Sequence, residues 1–241
     1  MTYQPRTYRR YVRSKDLVSF RVTLIETDLF ISADKDLKKE ALSCIEKLRV
    51  VLHAYIKNHP GFEKSLKPVI LKPKASLIIK DMARSGKACG VGPMAAVAGA
   101  VAEGVGRQLL KHCSQVIVEN GGDIFISSKK PRIVGIYAGS SKFSKKIAIE
   151  ISAEDTPCGI CTSSGTVGHS LSFGKADCVV VLSKSTSLAD AAATSICNKV
   201  KTGKDVDKAI RYGRGIKGIN GILIAVDDTL GAWGNIKLVD I

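Results

Sequence analysis

Gln115-Val-Ile-Val-Glu119-Asn120-Gly121-Gly122-Asp123-Ile-Phe-Ile-Ser-Ser128 consists of two short runs of branched and aromatic residues broken by a pair of glycines. Such residues fit a pleated, half-buried surface, and Gly-Gly supplies the positive φ of a two-residue hairpin turn. The stretch therefore predicts two antiparallel strands whose turn presents Asn120 and Asp123 to whatever lies at that end of the sheet. Downstream, 133–137 and 146–151 are again strand-like, so 115–151 is expected to form a four-stranded antiparallel meander.

The rest of the order is readable on either side of the hairpin. Val18, Phe20, Val22 and Leu24 alternate with polar residues and 27–31 resumes the pattern, predicting two paired strands. Leu37, Ala41, Ile45, Leu48, Leu52 and Tyr55 recur at helical spacing until Pro60. Residues 58–76 carry Pro60, Gly61, Pro68 and Pro73 and read as an irregular connection; 75–83 is apolar but of open type. Gly90-Val-Gly92-Pro93 then opens an Ala/Gly-rich helix over 94–110, with Pro93 in the first turn, where a missing N–H costs nothing. Free N–H groups behind Gly90 and Gly92 are suited to an anion. A buried strand at 178–182 feeds a further helix, and 221–226 with 236–239 is expected to close the chain as a hairpin around 227–234. The class this predicts is α+β, helices packed on antiparallel sheets.

The 241 residues, 45% of them hydrophobic, suffice for a substantial core. The basic start, Met1 to Arg10, leads into no apolar run of membrane-spanning length, so a cytoplasmic protein with no membrane partner is expected. Seven cysteines without a secretory signal read as reduced thiols. Cys158-Gly-Ile-Cys161 is the one close pair, and a zinc ribbon needs a second. A net charge of +15 favours anionic partners, although dispersed lysines are equally explained as solvated surface. Aromatics at 5% argue against a nucleic-acid stacking platform.

Chemistry is densest in Ser187-Leu-Ala-Asp190-Ala-Ala-Ala-Thr194. Residues i and i+4 lie one above the other on a helix, so Asp190 and Thr194 can reach one hard cation or one phosphate, while the alanines leave room for a ligand. Oxygen ligands suit Mg2+. The Asp190 carboxylate is expected to serve the site rather than the core, so that its removal spares the fold. Cys161-Thr162-Ser163-Ser164-Gly165-Thr166 clusters hydroxyls around a glycine, the composition of a phosphate cradle. With the Asn120-Gly121-Gly122-Asp123 turn and the Gly90–Gly92 loop, these elements suggest one nucleotide pocket. His169 lies in the adjoining Gly/Ser-rich loop and is the acid/base candidate; Cys161 is a candidate nucleophile and Cys89, ahead of a predicted helix start, a secondary one.

Glu119 to Ile124 resembles the glycine-glycine-aspartate loop of the ApbE superfamily, whose characterised members are FAD:protein FMN transferases. Cys161-Thr-Ser-Ser-Gly165 resembles its Thr-Ser-Gly loop, and Asp190-Ala-Ala-Ala-Thr194 its Asp-x-x-x-Thr magnesium motif, in the same order. Glu26-Thr-Asp-Leu29, Gly90 to Gly99 and Cys161 to Asp177 bring the chain closer to a UPF-class branch found in archaea and anaerobic bacteria, and the match spans nearly all of 1–241. The resemblance implies one domain of two packed T-fold-like α+β halves, a metal held by Asp190, Thr194 and a backbone carbonyl near Ala98, and FAD, FMN or another nucleotide in the cleft between them. It associates the branch with sulfur assimilation and homocysteine formation. Where the transferases carry Ala-Lys-Gly, this chain reads Ala98-Gly99-Ala100, and Ser172 stands where they have an acid. Two readings follow: a Mg2+-dependent nucleotidyl- or flavin-transferase-like enzyme, or a non-catalytic binding or assembly protein that keeps the fold without flavin transfer. Homo-oligomer formation is left open.

Overall fold

The computed structural model describes residues 12–72, 74–139, 141–166 and 172–240. Along the chain run β1 (Val12–Arg13), β2 (Val18–Leu24), β3 (Thr27–Ala33), α1 (Lys38–Asn58), α2 (Pro60–Lys64), α3 (Leu77–Cys89), α4 (Val97–Leu109), β4 (Val116–Asn120), β5 (Asp123–Ser127), β6 (Arg132–Gly135) and β7 (Ile147–Ile151). There follow β8 (Cys158–Ser163), β9 (Cys178–Ser183), α5 (Thr186–Cys197), α6 (Val206–Arg214), β10 (Ile219–Val226), β11 (Thr229–Gly234) and β12 (Lys237–Asp240). One antiparallel sheet has the order β11-β10-β9-β8-β5-β4-β3-β2, and a second runs β1-β6-β7-β12.

Period-two alternation sorts the strand residues into two cores. Val116, Val118, Phe125, Cys161, Val179, Val181, Ile222 and Ile224 face the helices, which contribute Ile45, Ile79, Met82, Val105 and Ile196. Their neighbours Ile117, Ile124, Ile126, Ile160, Val180, Leu182 and Leu223 face the smaller sheet and meet Val134, Ile149 and Ile151. The layers are therefore helices, eight-stranded sheet, four-stranded sheet. Because both faces of the central strands are covered, β9 is apolar throughout its Cys178-Val-Val-Val-Leu182 run instead of alternating.

The founding hairpin forms as its glycines dictate: Gly121 and Gly122 take φ of 68° and 106°, and Asn120 pairs with Asp123 across the turn. Strands β2 and β3 also pair as expected, Val18 opposite Ala33. The four-stranded meander is not observed, because β4 and β5 stay in the large sheet while β6 and β7 belong to the small one. Buried Arg132 marks the crossover, its guanidinium reaching Ser128 Oγ at 2.7 Å, Gln115 Oε1 at 3.2 Å and Asp16 at 2.5 and 3.1 Å. The closing hairpin also differs: β10 pairs with β11, and β12 crosses to β7. Gly234, at φ 80°, and the Asn235 N–H to Asn220 carbonyl bond make the bend that releases it.

Residues 75–83 resolve as the front of α3, where Ile78, Ile79, Met82, Ala83, Gly86 and Cys89 recur at helical spacing on the buried face. Cys89 ends this helix instead of preceding one, and burial pushes its thiol up to about 12, so the expected thiolate stabilisation does not apply. Pro60 ends α1 and begins α2. Among the described residues no single helix is long and apolar enough to cross a membrane; the apolar segments Leu77–Cys89 and Pro93–Leu109 are bent by 106° at their junction.

The Arg132 hydrogen bonds hold the Asp16 carboxyl far below its ordinary range. Since the folded pKa is the lower one, this stabilisation is complete above the unfolded carboxylate value and erodes as pH falls from there towards the folded value. Asp16→Asn is expected to cost about 2 kcal/mol at neutral pH, the range for hydrogen bonds to charged groups, and less below pH ~4. Urea melts at both pH values check this; equal losses at both would remove the ion-pair explanation.

Candidate functional site

The turn 120–123 brings Asp123 to the end of β5, where it pairs with Cys161 of β8 in the middle of the large sheet. Helix α5 lies across β8 and β9 and against α3 and α4. Its start is capped by the Ser185 hydroxyl, which accepts the Leu188 N–H, and its fully buried alanines allow close packing. One turn in, Asp190 extends to the beginning of α4, where its Oδ2 accepts the Gly99 N–H at 2.8 Å. Close by, the Ala98 carbonyl accepts a hydrogen bond from Asn120 Nδ2 at 3.0 Å.

These elements enclose a cleft of about 390 Å³ whose wall includes Gly92, Ala98, Asp123, Asp190 and Thr194, with Ser65, Leu66, Met94 and Phe173. A second cleft of about 440 Å³ shares Glu63, Met94, Val97 and Ala98 with it and is lined also by Asn120, Glu26, Thr27, Arg49 and His53. There Arg49 donates to Glu26 Oε2 at 2.6 Å and Thr27 Oγ1 at 3.0 Å, with His53 Nε2 at 3.1 Å. Sequence reasoning did not single out Arg49, His53, Leu66 or Phe173; the i, i+4 pairing of Arg49 with His53 was the available signal for the first two.

Exposed Glu63 also lines the first cleft, but the less exposed carboxylates of Asp123 and Asp190 dominate its electrostatics. Burial pushes the Asp123 carboxyl well up, and the negative charge of Asp190 pushes it further. Asp190 is also raised, chiefly by burial, and the Gly99 and Ala98 N–H groups oppose the rise. Asp123 Oδ1 is buried with no hydrogen-bond partner. Buried acceptors are rarely left so, and like charges in one cavity repel unless a cation lies between them. Among the described residues no Lys, Arg or His lines this first cleft. Among the described residues no three His, Cys, Asp or Glu side chains cluster as metal ligands. The donors are instead two carboxylates, the Thr194 hydroxyl and the Ala98 carbonyl, an all-oxygen set of the kind Mg2+ takes together with water and phosphate.

The remaining predicted residues divide clearly. Gly92 lines the cleft, whereas Gly90 is the left-handed C-cap of α3. Helix α4 proper begins at Val97 after a 3₁₀ turn, and the Gly99 N–H that an anion would use is taken by Asp190. Gly121 and Gly122 hold the turn. Thr162, Ser163, Ser164, Gly165 and Thr166 do not reach the cleft wall: buried Ser163 lies by the Cys197 thiol, and the Ser164 and Thr166 hydroxyls turn to each other, to the Ala176 carbonyl and to Asp177. Cys161 is fully buried, donates to the Thr186 carbonyl at 3.4 Å, and has its thiol pushed up by burial and by Asp123 and Asp190. That is the environment of an inert thiol. His169 falls outside the described residues.

Comparison with solved structures places this architecture. It matches the flavin transferase ApbE of Vibrio cholerae with a TM-score of 0.58 at 12% identity, covering 90% of this chain and 96% of that one. An ApbE protein of Thermotoga maritima gives 0.60 at 13%, covering 90% and 96%. At these identities the likeness defines the fold, an ApbE-type α+β architecture. A family model described as AbpE bacteria matches residues 9–214, and the chain belongs to that family. Its relatives include the UPF0280 proteins of Methanocaldococcus jannaschii, 42% identical over 223 residues and covering 90% of both chains, and of Methanococcus aeolicus, 37% over 226 residues and 91% of both.

Proposed function

We propose that the protein binds a phosphate-bearing nucleotide, a flavin or a relative of one, through Mg2+ held by Asp123, Asp190, Thr194 and the Ala98 carbonyl. The observation that carries this is the unpartnered, buried Asp123 Oδ1 sharing an acidic cleft with Asp190. An anionic ligand entering such a cleft meets two like charges, and a divalent cation turns that repulsion into attraction. The flavin-transferase name of the V. cholerae protein supports a flavin among the candidate ligands. When bound, Mg2+ supplies Lewis-acid polarisation of phosphoryl oxygens. The chain's own contribution is to fix the donors: α4 orients Asp190 through the Gly99 N–H, and Asn120 orients the Ala98 carbonyl.

Calorimetric titration of the wild type with ADP, FMN or FAD, with and without Mg2+, tests this. Binding that requires Mg2+ is expected; binding unchanged by EDTA would contradict it.

Flavin transfer to a protein is not the reading the residues favour. At Gly99, where the transferases carry lysine, a Cβ would stand 2.4 Å from the Thr186 carbonyl oxygen, so no side chain fits. Ser172, in place of their acid, is engaged with Cys197 Sγ at 3.2 Å and Asn198 Oδ1 at 3.4 Å. Incubated with FAD, Mg2+ and an acceptor protein carrying the transferases' target motif, the protein is expected to yield little or no covalent flavin by in-gel fluorescence and mass. Efficient labelling would establish it as a transferase.

A further inference from the structure

Phe173 is 55% exposed although it lines the same cleft as Asp123 and Asp190, and Leu66, 57% exposed, lines that cleft too. An aromatic ring left in water forgoes much of its burial free energy, and such a ring is informative where its main chain is fixed. Here it is fixed. The Phe173 N–H donates to Asn198 Oδ1 at 2.8 Å, its carbonyl accepts from Lys201 Nζ, and the next N–H, of Gly174, donates to Ser172 Oγ at 3.2 Å. Asn198 is the C-cap of α5, the helix that carries Asp190 and Thr194, and itself lines the cleft. The ring and the cation donors thus belong to one braced unit, with exposed Phe173 and Leu66, beside Glu63, at the outer part of the cleft and buried Asp123 deeper in. A ligand complementary to both ends has a flat apolar ring at one end and phosphate at the other.

We propose that Phe173 is the ring platform of the cleft: the planar heterocycle of a phosphate-bearing ligand, isoalloxazine or adenine, stacks on it, with Leu66 as a second apolar contact. This rests on the Mg2+-nucleotide reading above. It goes further by assigning recognition of the ring to a side chain with no part in holding the cation.

The test titrates wild type, Phe173→Ala and Phe173→Trp, each with Mg2+, against inorganic pyrophosphate, ADP and FMN. Phe173→Ala is expected to weaken the better-bound ring-bearing probe roughly tenfold, the range of aromatic–base stacking, and to leave pyrophosphate affinity within about twofold, with Phe173→Trp restoring wild-type affinity. Whether ADP or FMN suffers more identifies the ring. Ring-bearing probes that bind Phe173→Ala as tightly as wild type would overturn the platform and leave the Mg2+ reading intact. A pyrophosphate loss equal to the ADP loss would also overturn it, as the sign of a disturbed loop. Wild-type protein that binds none of the three with Mg2+ would overturn both proposals.

Discussion

Asp190→Asn is expected to lower Mg2+-dependent affinity for ADP or FMN by on the order of a hundredfold or more, since even outer-sphere changes at metal sites cost 10–100-fold. The structure makes Asn, not Ala, the informative substitution. Asp190 Oδ2 accepts the Gly99 N–H inside the first turn of α4, so the residue caps that helix as well as facing the cleft. The expectation that removing the carboxylate leaves the fold in place stands beside a modest cost from this bond: Asp190→Ala should lose about 1 kcal/mol of capping, or roughly 2–4 °C in melting temperature for a chain this long. Asn keeps an acceptor oxygen for Gly99 and removes the repulsion with Asp123. Its melting temperature without metal should therefore equal or exceed the wild type's, while Mg2+ and ADP should no longer raise it. A mutant that loses stability yet keeps Mg2+-dependent affinity would make Asp190 a helix cap only.

Gly99→Ala should be among the most damaging single-methyl changes in the chain. The added Cβ would lie 2.4 Å from the Thr186 carbonyl oxygen and 2.9 Å from Asp190 Cβ. Real Cβ atoms do not approach backbone so closely, so α4 and α5 must separate. Helix propensity alone would favour alanine by about 1 kcal/mol. Overpacking of a close helix contact costs roughly 1–3 kcal/mol and more where backbone must move, so the balance is a loss. We expect a net ~2–3 kcal/mol, read as a melting temperature lower by very roughly 5–10 °C, together with weakened Mg2+-dependent binding because the Gly99 N–H to Asp190 bond is strained. Gly99→Lys, the transferase residue, should be worse. A stable Gly99→Lys protein that binds Mg2+ and FAD normally would show that the α4–α5 contact yields easily, and would reopen flavin transfer.

How much of this was legible in the sequence depended on whether the signal was local. The Gly121-Gly122 turn was readable because φ chemistry is set by adjacent residues, and so was the β2–β3 pairing, where alternation specified the register. Sheet membership was not. The apolar pattern of β6 is the same whether it extends the large sheet or starts a second one, and what decides is Arg132 reaching Asp16, 116 residues away. Likewise β12 looked like the partner of β10 because the two are close in sequence, yet it pairs with β7.

The site divides the same way. Asp190 and Thr194 declared themselves through i, i+4 spacing, and Asp123 through its turn; all three line one cleft. Hydroxyl-rich 162–166 shows what composition leaves undetermined, which way a loop's hydroxyls turn: those of Ser164 and Thr166 reach the Ala176 carbonyl and Asp177, while buried Ser163 Oγ has no hydrogen-bond partner. Phe173 and Leu66 carried no periodic signal at all and became visible only as exposed apolar groups beside buried carboxylates. Helix α6 was hidden in a lysine-rich stretch, since only Val206, Ala209 and Gly213 mark its buried face.

Everything proposed for the cleft depends on Asp123 and Asp190 sharing a divalent cation. Crystals grown with Mn2+ in place of Mg2+, and with ADP, would test it through the anomalous difference map. A single strong peak is expected in the cleft bounded by Asp123, Asp190, Thr194 and the Ala98 carbonyl, with phosphate density beside it. An empty cleft in crystals that bind Mn2+ elsewhere, or ADP density there without any metal peak, would contradict it.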